Sequence, residues 1–120
     1  MKTVVVGASP DAFRYSYKAI KSLLDHHNQV IALGIREGAV FGQPILDIRE
    51  RPIIKEVDTL TIYVSAPNLA DYEDYLLSLN PGRIIFNPGA ENATLQKKAN
   101  HLGIKTINDC TLVMLSVGAY

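Results

Sequence analysis

Val4-Val5-Val6-Gly7-Ala8-Ser9-Pro10 decides the fold. An uninterrupted β-branched run ends in a glycine turn with a hydroxyl just beyond it. A strand buried on both faces reads this way, because neither face needs polar residues. The same run followed by glycine forms the phosphate-holding turn after the first strand of a nucleotide-binding α/β domain. Backbone N–H groups there face an anion, and the next helix adds its positive end. A nucleotide or nucleotide-bearing cofactor is therefore the leading ligand. Only Gly7 stands where a full G-x-G-x-x-G pattern has three glycines, so the turn needs support from the rest of the chain.

That support begins with a strict alternation of strand and helix patterns. Thr3–Ala8 is the first expected strand, and Ser16–His27 a helix with Ala19, Ile20, Leu23 and Leu24 on one face. Gln29–Ile35 is a second strand, Arg36 to Pro44 a glycine-bearing loop, and Ile45-Leu46 a candidate short strand. Asp47–Pro52 has no decided structure. Thr59–Ser65 reads as a strand stopped by Pro67. Asn68 then caps a helix running to about Leu79, with Leu69, Tyr72, Leu76 and Leu79 along it. Arg83–Asn87 is a strand with Pro88-Gly89 as its turn. A helix from Glu91 or Asn92 turns Leu95, Ala99 and Leu102 inward and stops at Gly103. Ile104–Ile107 is the last strand and Thr111–Ser116 a terminal helix. The expected fold class is α/β: one Rossmann-like domain over residues 1–120, three layers α/β/α, with a mostly parallel five-stranded sheet and right-handed crossovers.

Composition narrows the partners. The 120 residues are 48% hydrophobic and 20% charged, which fits a soluble globular domain with one core. Twelve basic and twelve acidic residues cancel without a Lys/Arg block, so no electrostatic case exists for nucleic acid or a membrane surface. No apolar run approaches a membrane span, and the N-terminus starts in a strand without a signal-peptide pattern. A single cysteine, Cys110, forms no internal disulfide, which fits a cytoplasmic protein.

Ligands of parallel sheets bind beyond the carboxyl ends of the strands, where strand order reverses. Four strand ends then define the site: Gly7-Ala8-Ser9, Gly34-Ile35-Arg36, Ser65-Ala66-Pro67 and Asn87-Pro88-Gly89. An NAD-preferring domain has Asp or Glu after its second strand. Arg36 comes first here, and a guanidinium suits a phosphorylated ribose: the 2′-phosphate of NADP or the 3′-phosphate of coenzyme A. The plainer alternative is a solvated loop arginine. Ser9 either donates to a pyrophosphate or caps its own turn. Arg14 either clamps a diphosphate or sits free on the surface. Tyr15 and Tyr17 either cover an adenine or pantetheine arm or pack locally. Asn87 and Gly89 either approach a ligand or merely make a turn.

No catalytic set emerges. His26, His27 and His101 fall near helix C-termini, where a helix dipole accounts for them. Cys110 sits before a short helix without a histidine to act as its base, and beside Leu112, Val113 and Met114 it reads as a small buried hydrophobe. Asp58, Asp71 and Asp74 flank elements and make no carboxylate pair.

With these positions assembled, the chain resembles the CoA-binding domain family, the Rossmann-like module that also forms the N-terminal domain of the succinyl-CoA synthetase α subunit. The markers span nearly the whole chain: Gly7-Ala8-Ser9 with Arg14 and Tyr17, Gly42-Gln43-Pro44-Ile45, and Ile62-Tyr63-Val64-Ser65-Ala66-Pro67. Phe86-Asn87-Pro88-Gly89-Ala90-Glu91-Asn92 and Asp109-Cys110-Thr111 complete them. The resemblance implies that the Ser9 turn holds the CoA diphosphate and that the loop near Arg36 meets the adenosine end. It further implies that Val64, Ser65 and Ala66 line the adenine or its ribose, and that Asn87, Pro88 and Gly89 flank the pantetheine arm. Gly34-Ile35-Arg36 departs from the Asn-Pro pair that many members carry there. The leading expectation is a CoA or acyl-CoA carrier, sensor or accessory protein without its own catalyst. The alternatives are a small NADP-dependent reductase-like protein and a non-binding assembly module, with Leu112–Val117 available to a homodimer or a partner enzyme.

Overall fold

In the computed structural model, which describes residues 1–120, the β-branched runs become one seven-stranded sheet. Its strands are β1 (Lys2–Val6), β2 (Gln29–Gly34), β3 (Ala39–Val40), β4 (Gln43–Asp47), β5 (Thr59–Ile62), β6 (Arg83–Phe86) and β7 (Lys105–Asn108). They lie in the order β3-β4-β2-β1-β5-β6-β7, parallel throughout except for the β3–β4 pair. Without β3, chain order across the sheet runs outward in both directions from β1 and β5. That is the doubly wound arrangement, with its reversal between β1 and β5.

Five helices cover the sheet: α1 (Tyr15–Asp25), α2 (Ala66–Leu69), α3 (Glu73–Ser78), α4 (Ala93–His101) and α5 (Thr111–Ser116). Alternate residues of β1 serve opposite faces, which is why its valine run is continuous. Val4 and Val6 join Leu60, Ile62, Ile84 and Phe86 beneath Leu69, Leu76, Leu95 and Ala99. Val5 instead meets Ile20, Leu23 and Leu115 on the α1/α5 face. Each fully buried Leu, Ile or Phe contributes about 1.5–3 kcal/mol, and the two clusters together fix the sheet between its helices.

The sheet has two strands more than the five expected. Phe41 and Gly42, at φ +48° and +81°, close a two-residue hairpin that pairs Val40 with Gln43. Such turns need positive φ at both positions and usually carry Asn-Gly; Phe-Gly gave no such signal, and a two-residue strand has no periodicity to read. The Ile45-Leu46 strand extends to Gln43–Asp47 and ends in a 3₁₀ turn, Ile48–Glu50, where the Asp47 carboxylate accepts from the Arg49 N–H.

After β5 the chain enters a helix earlier than expected. Ser65, rather than Asn68, stands at the helix N-cap, and Pro67 sits in the first helical turn, where its missing N–H is harmless. That helix is interrupted by a 3₁₀ turn at Ala70–Tyr72. Leu69 and Leu76 are fully buried, whereas Tyr72 remains half-exposed. Leu102 lies past the last turn of α4 and is 61% exposed rather than inward. Asn92 caps α4 as read from the sequence, its side chain accepting from the Leu95 N–H at 3.0 Å.

Candidate functional site

The C-terminal ends of β1 and β5 diverge where strand order reverses, and a cleft of about 720 Å³ opens there. Its floor is the turn after β1. Gly7 takes φ +96°, and a Cβ on it would lie 2.7 Å from Val64 Cγ2. A Cβ on Gly34 would lie 2.9 Å from the Ala8 carbonyl oxygen. Gly7 thus admits the Val64 side chain against its backbone, and Gly34 admits the Ala8 backbone. The Gly7 and Ala8 N–H groups are not open to a ligand, because both donate to the Leu33 carbonyl at 2.8 and 3.1 Å.

Open donors lie just beyond. Ser9 is 6% exposed, and its Oγ accepts from the Asp11 N–H at 3.1 Å. The capping role is therefore filled, while the hydroxyl's own proton is free to point into the cleft. At the start of α1, Arg14 occupies the N-cap position and supplies no side-chain cap. The first helical hydrogen bond runs from the Lys18 N–H to Arg14, so the N–H groups of Tyr15, Ser16 and Tyr17 lack protein partners. Arg14 Nε stands 3.8 Å from Asp11 Oδ2 on the surface, too long and exposed to hold the guanidinium.

The side walls come from three further strand ends. Ile35 and Arg36 follow β2, Tyr63, Val64 and Ser65 follow β5, and Pro88, Gly89 and Ala90 follow β6. Ile48, Asn68 and Tyr72 complete the lining from the 3₁₀ turn after β4 and the broken helix after β5. Two arginines line this cleft and no aspartate or glutamate does, in a chain with twelve acidic residues. Open amides, two guanidiniums and an apolar wall suit an elongated anionic ligand with an apolar portion.

Eleven of the residues singled out from sequence meet in the cleft: Gly7, Ala8, Ser9, Arg14, Tyr15, Ile35, Arg36, Val64, Ser65, Pro88 and Gly89. Five stand outside its lining, among them Pro67 in the first turn of α2. Tyr17 packs its ring against Phe41, centroids 4.8 Å apart, on the α1 side of the core. Gly34 sits behind Ala8, and Ala66 is the first residue of α2. Asn87 is 2% exposed and works as a bracket. Its amide nitrogen donates to Thr61 Oγ1 at 2.7 Å and to the Ile62 carbonyl at 3.0 Å, and its oxygen accepts from the Thr111 N–H at 2.9 Å. Its side chain thus ties β6, β5 and α5 together and sets where Pro88-Gly89 stands.

Ser16, Ile48, Tyr63, Asn68, Tyr72 and Ala90 were not among the expected site residues. Ile48 lies in the undecided stretch, Asn68 reads as a cap and Tyr72 as part of a helix face; Tyr72 closes the 3₁₀ turn Ala70–Tyr72 and reaches the cleft while packed against the core. The Tyr63 hydroxyl is buried without a hydrogen-bond partner. Burial pushes its pKa well above the usual tyrosine value, so it stays protonated. The Thr61 and Thr111 hydroxyls lie close enough to temper that shift but bond to each other at 2.8 Å, and neither completes a hydrogen bond to Tyr63. No three His, Cys, Asp or Glu side chains gather as a metal site, and no helix is long and apolar enough to cross a membrane.

A family model described as a CoA binding domain matches residues 1–116. A crystal structure of a protein described as uncharacterized superposes with a TM-score of 0.95 at 43% identity, over 99% of this chain and 97% of that one. The Thermus thermophilus protein designated cell-free ID.343 follows at 0.84 and 21% identity, over 99% and 90%. A conserved hypothetical protein from Pyrococcus furiosus gives 0.79 and 21%, over 93% and 97%. The last two show likeness of fold alone. No curated protein matches the chain.

Proposed function

The chain belongs to the CoA-binding domain family, and from that premise we propose that it holds coenzyme A or an acyl-CoA in the cleft at the β1/β5 reversal. One observation carries the reading: the cleft lining pairs two guanidiniums and open helix amides with no carboxylate. CoA presents a diphosphate and a ribose phosphate, which such donors match. In this reading Ser9, the α1 amides and Arg14 take the diphosphate, and Arg36 takes the 3′-phosphate. Val64 and Ser65 flank the adenosine, and Pro88 and Gly89 flank the pantetheine arm. The lining has no His, Cys, Asp or Glu to act as base or nucleophile. A carrier, sensor or accessory role beside a partner enzyme follows more readily than catalysis by this chain.

Thermal unfolding with CoA, dephospho-CoA, NADPH and NADH tests the reading. A ligand at a hundred times its Kd adds about 2.7 kcal/mol of stability. A melt raised by CoA and less by dephospho-CoA is expected. A response to NADPH alone would support the reductase-like alternative instead. No response to any of the four would favour an assembly module.

A further inference from the structure

Tyr63 carries the one buried side-chain polar atom of the molecule that lacks a hydrogen-bond partner. Buried polar groups in folded proteins are overwhelmingly paired, so such an atom calls for a reason. Its surroundings say what is missing. Asn87 spends both amide hydrogens, on Thr61 Oγ1 and the Ile62 carbonyl, and the Thr61 and Thr111 hydroxyls share a 2.8 Å bond. One hydrogen of that threonine pair bridges the two oxygens, leaving the other unspent, and the Tyr63 O–H adds another donor. The threonine oxygens keep lone pairs to spare, yet neither is placed to accept from Tyr63, whose O–H is left as a donor without an acceptor. Tyr63 also lines the cleft, beside the strand ends that hold Pro88 and Gly89.

We propose that Tyr63 reads the ligand: its hydroxyl swings to donate a hydrogen bond to a neutral carbonyl oxygen of the bound molecule. Resting on the CoA reading, that oxygen belongs to an amide or thioester of the pantetheine arm. A phosphate oxygen is the poorer match, because a neutral phenol brings no positive charge, whereas Arg14 and the open α1 amides do. Tyr63 shares its cluster with Asn87, which sets where Pro88 and Gly89 stand. The unpaired hydroxyl is then a cost carried by the free protein and relieved on binding.

Tyr63→Phe separates this from a structural role by moving stability and affinity in opposite directions. The variant keeps the ring and removes only the orphaned hydroxyl. Its Tm is expected to equal or exceed that of the wild type, while CoA binding measured by calorimetry weakens about tenfold. Adenosine 3′,5′-bisphosphate, which lacks the arm, should bind both proteins alike. A lower Tm with unchanged CoA affinity would overturn the proposal, as would an equal loss for both ligands. If wild-type protein binds neither ligand, the CoA reading itself fails and takes this role with it. If it binds both and the variant loses nothing, only the role of Tyr63 fails.

Discussion

Arg36 and Gly7 concentrate the chemistry and the geometry of the cleft at single positions. The Arg36 side chain is exposed and makes no ion pair with any carboxylate, so its removal leaves no buried charge behind. Arg36→Ala is expected to leave Tm within a degree or two of the wild type. It should also weaken CoA about tenfold while barely touching dephospho-CoA; equal losses for the two ligands would remove Arg36 from the phosphate. Gly7→Ala is different in kind. Positive φ and a 2.7 Å contact to Val64 Cγ2 act together, and a cost of about 2–3 kcal/mol is expected in urea unfolding. Both residues were visible in sequence as a glycine turn and a charge after the second strand. What hid was the work of the turn: its first two amides bind Leu33, a partner 25 or more positions away in the chain.

At the scale of elements, α1 and α4 make a useful contrast. Asn92 gives α4 a side-chain cap, and Asn92→Ala is expected to cost about 1 kcal/mol in a denaturant titration. The start of α1 has no such cap and no acidic residue in its first turn. Its positive end is left available to an anion. Arg14→Ser should therefore raise the stability of the free protein by about 0.5–1 kcal/mol and weaken CoA binding. A variant that gains both stability and affinity would show that the α1 terminus does not hold the diphosphate. The broken helix after β5 is the element that sequence reading described least well. Leu69, Tyr72 and Leu76 fit one helical face, so periodicity alone favours a continuous helix. The 3₁₀ turn at Ala70–Tyr72 interrupts it, while Tyr72 both packs against the cluster of Leu69 and Leu76 and lines the cleft.

For the whole molecule, the balance of charge hides a local bias. Twelve acids and twelve bases sum to zero, yet the cleft lining holds two bases and no acid. Affinity for a polyanionic ligand is then expected to fall as salt rises, because the exposed guanidiniums are screened within a Debye length of about 8–10 Å. Calorimetry from low to high salt measures this; an affinity indifferent to salt would argue for a cleft dominated by apolar contact. Tyr120 shows how the rest of the molecule supports the site from afar. Its hydroxyl bonds Thr3 while the Arg83 guanidinium stacks 4.4 Å above its ring. The same arginine donates to Thr59, holding α5 over the β1–β5–β6 face on which Tyr63 and Asn87 depend.

Residue pattern alone set the α/β class, the parallel direction of the main strands and the strand ends that contribute to the cleft. Those follow from local periodicity and turn chemistry, which are written in neighbouring residues. Tertiary structure alone decided which of those residues face the cleft. Asn87 and Gly34 were drawn into packing, Ile48, Asn68 and Tyr72 were brought to the wall, and the Tyr63 hydroxyl was left without a partner. Each outcome depends on contacts between segments tens of residues apart, and no window of adjacent residues contains that information.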